Sequence, residues 1–339
     1  MMKVVPTLLG DTATILLLVS NPKEQQLLTR VLSSTGCRLQ VVSSIQEAEE
    51  IIMQNSIDLL VADYDQESQA FDSNGLAAFD DFLARFSQQR ASHWVNGKTK
   101  ILLLAERRNN EEMRKIFSLS FVSNIVAKSH DFDPDELIIT VGKIIRNDIF
   151  GAEKYLCYGA TPIAYEVSSS TQKEPLLQAL TDYAEGIGIN KRIVSAACGV
   201  ADELLMNAVY NAPIYANGVR PYARRLRTIP VDLQPNETCF FSFASDGQQL
   251  VISVRDRFGS LTPEKIRSYM SRCFGMGDNQ IEQKQGGAGM GFYFIMQNLN
   301  KLIVNISPGR GTEFIGILNI SGSYRDYVER YKSFHIFVG

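Results

Sequence analysis

The chain has 339 residues, 45% of them apolar and 21% charged, with a formal net charge of −3. That length suits two domains and that balance an ordinary globular protein, while the negative charge excludes the basic footprint of a nucleic-acid binder. The longest apolar runs, such as residues 15–19 and 101–104, are too short for a bilayer and no signal-peptide pattern opens the chain; the five cysteines (Cys37, Cys157, Cys198, Cys239, Cys273) form no C-x-x-C pair. The expectation is a soluble, cytoplasmic protein with reduced thiols, no membrane partner and no nucleic-acid partner.

Residues 15–20 are a continuous apolar run bounded by Asn21-Pro22, as a buried parallel strand requires. Residues 23–35 then carry Leu27, Leu28, Val31 and Leu32 at helical spacing, with Gly36 where a C-cap belongs. Strands over 39–42, 57–62, 100–104 and 124–127 alternate with helices over 45–54, 75–86, 110–118 and 135–146. The last helix is capped by Asp133 or started by Pro134. Strictly alternating strands and helices predict an α/β fold with a doubly wound parallel sheet over residues 1–149. Residues 66–98, polar and holding the single tryptophan Trp94, read as a surface insertion.

This half resembles the receiver domain of bacterial response regulators. Asp63 ends the third strand, where that family carries its phosphoacceptor, and Lys128 follows the fifth strand, where the family's lysine contacts the phosphoryl group. The acidic pair that the family uses to bind magnesium is replaced here by the stretch Val19, Ser20, Asn21, and the hydroxyl residue after the fourth strand by Ala105. The resemblance therefore implies a degenerate receiver serving as a docking surface, with Asp63 and Lys128 as the candidate phosphoacceptor pair. A strand-end carboxylate and a solvated loop cation are the plain alternatives.

Residues 150–160 carry Gly151, Gly159 and an apolar YLCY and are read as the linker. A strand over 161–167 and a helix over 172–186, striped by Leu176, Leu177, Leu180 and Tyr183, lead to a long helix containing ADELLMNAVYNA. Helical spacing puts Glu203, Asn207 and Asn211 on one face. A carboxylate one turn before an amide can hold a hydrated magnesium ion, with the carboxylate orienting a water or hydroxyl; a half-buried helix with a wet face has the same pattern. Arg220, Arg224, Arg225 and Arg227 cluster in the connection that follows, as phosphate contacts, an acidic-partner surface or a solvated face. Asp246-Gly247 between two strands is a hairpin signal.

SVRDRFGSL (253–261) is an apolar strand ending in Asp256 with Gly259 after it. In KQGGAGMGFYFIMQNL (284–299), Gly286, Gly287, Gly289 and Gly291 lead into an apolar helical pattern, leaving backbone N–H groups to face phosphate oxygens. GRGTEFIGIL (309–318) is a Gly-Thr turn feeding a strand.

These four pieces, in this order over about 162–320, resemble the ATP-binding domain shared by histidine kinases, type II topoisomerases, a class of heat-shock chaperones, MutL repair proteins and anti-sigma-factor serine kinases, the GHKL type. The resemblance implies a C-terminal α/β sandwich of the histidine kinase-like ATPase type over 161–322, followed by a tail over 323–339. It implies ATP and Mg2+ as cofactors, Glu203 as the catalytic residue that orients the attacking group, and Asn207 as the metal ligand. It further implies Asp256 as acceptor for the adenine amino group, supported by Thr312, and Gly287, Gly289 and Gly291 around the phosphates. Lys265, Arg272 and Lys284 lie where the family places its mobile lid. The family's D-x-G-x-G reads Asp256-Arg257-Phe258-Gly259-Ser260 here, so either Gly259 takes the role of the glycine replaced by Phe258 or the adenine pocket is altered.

His93, His130 and His335 sit in a loop, a strand-end loop and the tail, and none has the acidic helical context of a phosphoacceptor histidine. The function implied is a signal-transduction protein that phosphorylates a partner on Ser or Thr, an anti-sigma-antagonist-like substrate, or grips it in a nucleotide-dependent way; a homodimer is compatible with this. The alternative is a non-catalytic adaptor.

Overall fold

The structure, a computed structural model, describes residues 13–64, 73–88, 99–106, 110–128, 132–275 and 290–339. Two compact units divide the chain. In the first, strands β1 (Thr14–Leu18), β2 (Arg38–Val42), β3 (Leu59–Asp63), β4 (Lys100–Ala105) and β5 (Asn124–Ala127) lie parallel in the order β2-β1-β3-β4-β5. Helices α1 (Pro22–Ser33), α2 (Ile45–Gln54) and α3 (Ser73–Phe86) separate them, α4 (Asn110–Ser118) groups with the second unit, and α5 (Pro134–Arg146) closes the first. Every residue of β3 is buried, the mark of a central parallel strand covered on both faces. Asn21 caps α1, its Oδ1 accepting from Lys23 N at 3.0 Å and Glu24 N at 3.4 Å. At α5 both expected signals act together, with Asp133 capping Asp135 and Glu136 N–H groups and Pro134 filling the first helical position.

The second unit holds β6 (Ile163–Val167), helices α6 (Lys173–Gly186) and α7 (Lys191–Met206), then β7 (Cys239–Ser245), β8 (Gln249–Asp256), α8 (Pro263–Gly275), α9 (Met290–Gln297), β9 (Lys301–Ser307), β10 (Gly311–Asn319), α10 (Tyr324–Glu329) and β11 (Ser333–Val338). Its strand order is β11-β9-β10-β8-β7-β6, antiparallel except for β11 beside β9. Helix α7 packs against α6, α9 and strands β8 and β10. With the turn that continues it, Lys191–Asn211 is long and apolar enough to cross a membrane by composition alone. Its apolar residues, Val200, Ala201, Leu204 and Leu205 among them, are instead buried inside the unit as a core stripe.

Two segments differ from their sequence reading. The 150–160 stretch, expected as a linker, contains a short 3-10 turn at Ala152–Tyr155 with Ala152 and Tyr155 buried. It is fastened to the sheet: Gly151 N donates to the buried Glu313 carboxylate at 2.9 Å, and the Gln249 side chain donates to Tyr155 O. The 323–339 stretch, expected as a tail, is a helix started by a Ser323–Asp326 capping box and a strand, SFHIFV, paired in parallel with β9. His335 is accordingly a core residue, 0% exposed, rather than a tail histidine. His93, Trp94 and His130 lie outside the described residues.

Candidate functional site

Residues alternate across β8 and β10, so Val254 and Asp256 share a face with their register partners Phe314 and Thr312, while Ser253 and Glu313 project from the other. Val254, Asp256 and Phe314 wall a pocket of about 220 Å³, with Leu204, Asn207 and Asn211 from α7 and its continuation, Ile266 and Tyr269 from α8, and Phe292 from α9. It is largely apolar with a few convergent polar groups, as small-molecule sites are.

Asp256 is 8% exposed and its Oδ1 accepts three backbone N–H groups, from Phe258 at 2.7 Å, Gly259 at 3.2 Å and Thr312 at 3.3 Å. Burial pushes its carboxyl above the ordinary aspartate value of 3.8, and the backbone donors only partly offset that. The three backbone donors all go to Oδ1. Thr312, 1% exposed, has its buried Oγ1 near enough to the Asp256 carboxylate to help lower its pKa, but without a well-aligned hydrogen bond. A buried hydroxyl beside an acceptor carboxylate oxygen is the kind of polar pair that a ligand satisfies.

The turn after Asp256 reverses at Gly259, whose φ is +58°, while Phe258 keeps an ordinary negative φ. A β-carbon at Gly259 would overlap Ser307 O and stand 2.9 Å from Gly309 N, so this position requires glycine on both counts. Gly311 permits a second close approach, since a β-carbon there would be 2.7 Å from Asp256 O.

Along α7 the predicted polar line is a hydrogen-bonded ladder. Asn207 Nδ2 donates to Glu203 Oε1 at 2.9 Å, and Asn211 Nδ2 donates to Asn207 Oδ1 at 2.7 Å. The helix widens to a π turn over Asn207–Asn211, a local irregularity that the helical spacing did not predict and that is frequent at functional sites. Glu203 has its pKa raised above 4.5, chiefly by burial, against the lowering effects of Asn207 and Arg227. Gly291, on the first turn of α9, lies against the Glu203 carboxylate with no room for a β-carbon.

Of the four clustered arginines only Arg220 lines the pocket. Its guanidinium donates to Asn211 O and to Ser260 Oγ, the latter at 3.1 Å, so it ties the end of the long helix to the turn after β8. Lys265 also lines the pocket, and Arg272 lies over the Tyr269 ring at 4.8 Å. Lys284, Gly286, Gly287 and Gly289 lie outside the described residues. Arg220 and Ser260 were not singled out as pocket residues from sequence, because nothing in a run of arginines marks which one turns inward.

In the first unit, Asp63 and Lys128 meet as expected from their places at the ends of β3 and β5. Lys128 Nζ donates to Asp63 Oδ2 at 2.9 Å and to Glu24 Oε2 at 3.0 Å, with the Asp63 side chain 1% exposed. Burial depresses the Lys128 pKa, but the two carboxylates outweigh it and the net shift is upward; burial raises Glu24. Glu24 was missed in the sequence, where a first-turn helix acid has the more ordinary explanation of favouring the helix dipole. Among the described residues no group of three or more His, Cys, Asp or Glu side chains could hold a metal ion.

No protein-family model matches the chain, and no curated protein matches it. Among solved structures, part of the chain is similar to response-regulator receivers. A response regulator from Thermotoga maritima is 17% identical over 40% of this chain and 98% of its own, with a TM-score of 0.31. A chemotaxis response regulator of Vibrio cholerae is 16% identical over 39% of this chain and 98% of its own, also at 0.31. The receiver domain of a Francisella response regulator is 20% identical over 40% of this chain and 98% of its own, again at 0.31.

Proposed function

We propose that the second unit binds Mg2+-ATP and either transfers its terminal phosphoryl group to a Ser or Thr of a partner protein or uses the nucleotide to switch its grip on that partner. The observation that carries this reading is one pocket lined by both the buried Asp256 and Asn207, with Thr312 beside the first and Glu203 one turn before the second. Asp256 Oδ2 is the acceptor left for an exocyclic amino group of the base, and Thr312 Oγ1 the second polar contact. Asn207 Oδ1 accepts one hydrogen bond and keeps a lone pair for the metal. A magnesium ion held mainly by phosphates and waters needs only such a ligand, so the lack of a carboxylate cluster among the described residues fits it. When bound, it supplies neutralisation of phosphate charge.

Glu203 then acts as the base. Ionised, it takes the proton of the partner's hydroxyl as that oxygen bonds to the terminal phosphorus and the bond to the diphosphate oxygen breaks, giving phosphoserine or phosphothreonine and ADP. Burial holds its pKa above the ordinary glutamate value, which makes it a stronger proton acceptor than an exposed carboxylate. We propose that the first unit is a signalling receiver that no longer depends on phosphorylation, because Lys128 is shared between Asp63 and Glu24 and the magnesium-binding acids are replaced by Ser20 and Asn21.

Calorimetric titration of ATP with Mg2+ into the wild type, Asn207→Ala and Asp256→Ala tests the nucleotide reading. Binding by the wild type that both substitutions weaken supports it. A folded wild type that binds nothing refutes it and leaves an adaptor acting through its surfaces.

A further inference from the structure

The long helix ends at the pocket. Its π turn stops at Asn211, and Asn211 and Ala212 both line the pocket wall. The last carbonyls of a helix carry partial negative charge, which repels an anionic ligand placed beside them. Arg220 caps that end. Its Nη1 donates to Asn211 O and to Ala212 O, the latter at 3.5 Å, and its Nη2 donates to Ser260 Oγ at 3.1 Å. A guanidinium has five N–H groups, so these three bonds leave donors over. Arg220 is half-buried, and no carboxylate among the described residues pairs with it.

We infer that Arg220 contacts the phosphate chain of the bound nucleotide, so that one side chain both neutralises the helix end and holds the charge of the ligand. The inference rests on the nucleotide reading of the pocket and extends it. The pocket wall carries two cations, Arg220 and Lys265, and one carboxylate, Asp256. A polyphosphate lying in this pocket therefore meets one of those two cations. Lys265 is exposed on α8, and its flexible ammonium loses side-chain freedom when a ligand orders it. Arg220 is already fixed by three acceptors, two at the helix end and one on the turn after Asp256, so its planar fork is pre-organised for phosphate oxygens. Asn211, whose carbonyl it holds, is bonded through its side chain to Asn207, the residue assigned to the metal. Arg224, Arg225 and Arg227 share its stretch of sequence, but all three are exposed and none lines the pocket.

The test compares Mg2+-ATP with adenosine by calorimetry on the full chain, for the wild type, Arg220→Gln, Arg220→Lys and Lys265→Gln. Adenosine carries the base without phosphate, so its affinity reports whether the pocket and the helix end are intact, and urea midpoints of the variants check the fold separately. Arg220→Gln is expected to lower ATP affinity about tenfold, the scale of a charge-assisted hydrogen bond, and to leave adenosine affinity unchanged. Arg220→Lys should recover part of the loss, and Lys265→Gln should cost less than Arg220→Gln. An unchanged ratio of ATP to adenosine affinity in Arg220→Gln makes Arg220 a helix cap alone and overturns the inference, with the nucleotide reading intact. A loss of ATP affinity confined to Lys265→Gln, or a wild type that holds adenosine as tightly as ATP, does the same. A wild type that binds neither ligand overturns both.

Discussion

Gly291 and Glu203 touch: the glycine Cα lies against the glutamate carboxylate so closely that any β-carbon at position 291 would overlap Oε1. The contact joins the start of α9 to the polar line of α7. It also explains why a glycine persists inside an apolar helical pattern, where it costs helix stability relative to alanine.

Gly291→Ala should therefore displace the Glu203 side chain and break its 2.9 Å bond to Asn207. Misplacing a catalytic group by about 1 Å can cost on the order of 100-fold in rate. The expected result is a loss of ATP turnover of that order with a smaller change in ATP affinity. Unchanged turnover in steady-state assays would remove Glu203 from the chemistry.

The turn after β8 gives a second prediction. Gly259→Ala forces an L side chain into φ +58° and onto Ser307 O. The left-handed conformation alone costs about 1–2 kcal/mol, so urea denaturation should register at least that loss. Phe258→Gly, in contrast, should leave ATP affinity unchanged, because the reversal is not at Phe258. A large effect on affinity from Phe258→Gly and none on stability from Gly259→Ala would return the role to position 258.

The elements of the first unit were legible because buried parallel strands are apolar runs and its helices carry stripes; predicted and observed strand and helix spans overlap throughout. The polar line of α7 was equally legible, since Glu203, Asn207 and Asn211 follow helical spacing even where the helix widens. What sequence could not give were relations set by distant backbone. Gly259 was legible as a turn residue, but its need for glycine comes from Ser307, 48 positions away in the chain (307 − 259). The 323–339 stretch was misread because its strand SFHIFV was judged by its place at the end of the sequence, not by the apolar content that β9 buries. Glu24 was not picked out, and Arg220 was not separated from its three neighbours, for a related reason: a charged residue's partner lies on another element.

Glu203 sets the expected pH dependence. Its folded-state pKa lies above 4.5, mainly because burial disfavours the charged form. A base must be deprotonated, so the acid limb of kcat/KM should fall at a higher pH than an ordinary glutamate would give. For stability the sign is opposite. A carboxyl raised in the folded state favours folding while protonated, and that contribution is lost as pH rises from 4.5 through the folded pKa. Glu203→Gln should abolish the acid limb along with activity. It should also gain stability relative to the wild type at neutral pH but not in acid. Thermal melts across that range decide it, and a stability difference independent of pH would contradict the raised pKa.

In the first unit Lys128 lies between the Asp63 and Glu24 carboxylates, with Glu106 at 4.0 Å, and its removal should be the more damaging single change. Lys128→Ala leaves the nearly fully buried Asp63 carboxylate without the cation 2.9 Å away. Uncompensated buried charges of this kind cost about 3–5 kcal/mol, with a smaller value expected here because Glu24 and the Lys128 end of the site are partly exposed. Lys128→Met combined with Asp63→Asn removes the charge together with its partner and should recover most of the loss, since the remaining side chains can pack without an unpaired ion. Urea denaturation of the single and double variants closes the cycle. A loss in the double variant equal to the sum of the losses from Lys128→Met and Asp63→Asn measured singly would mean that the pair is uncoupled.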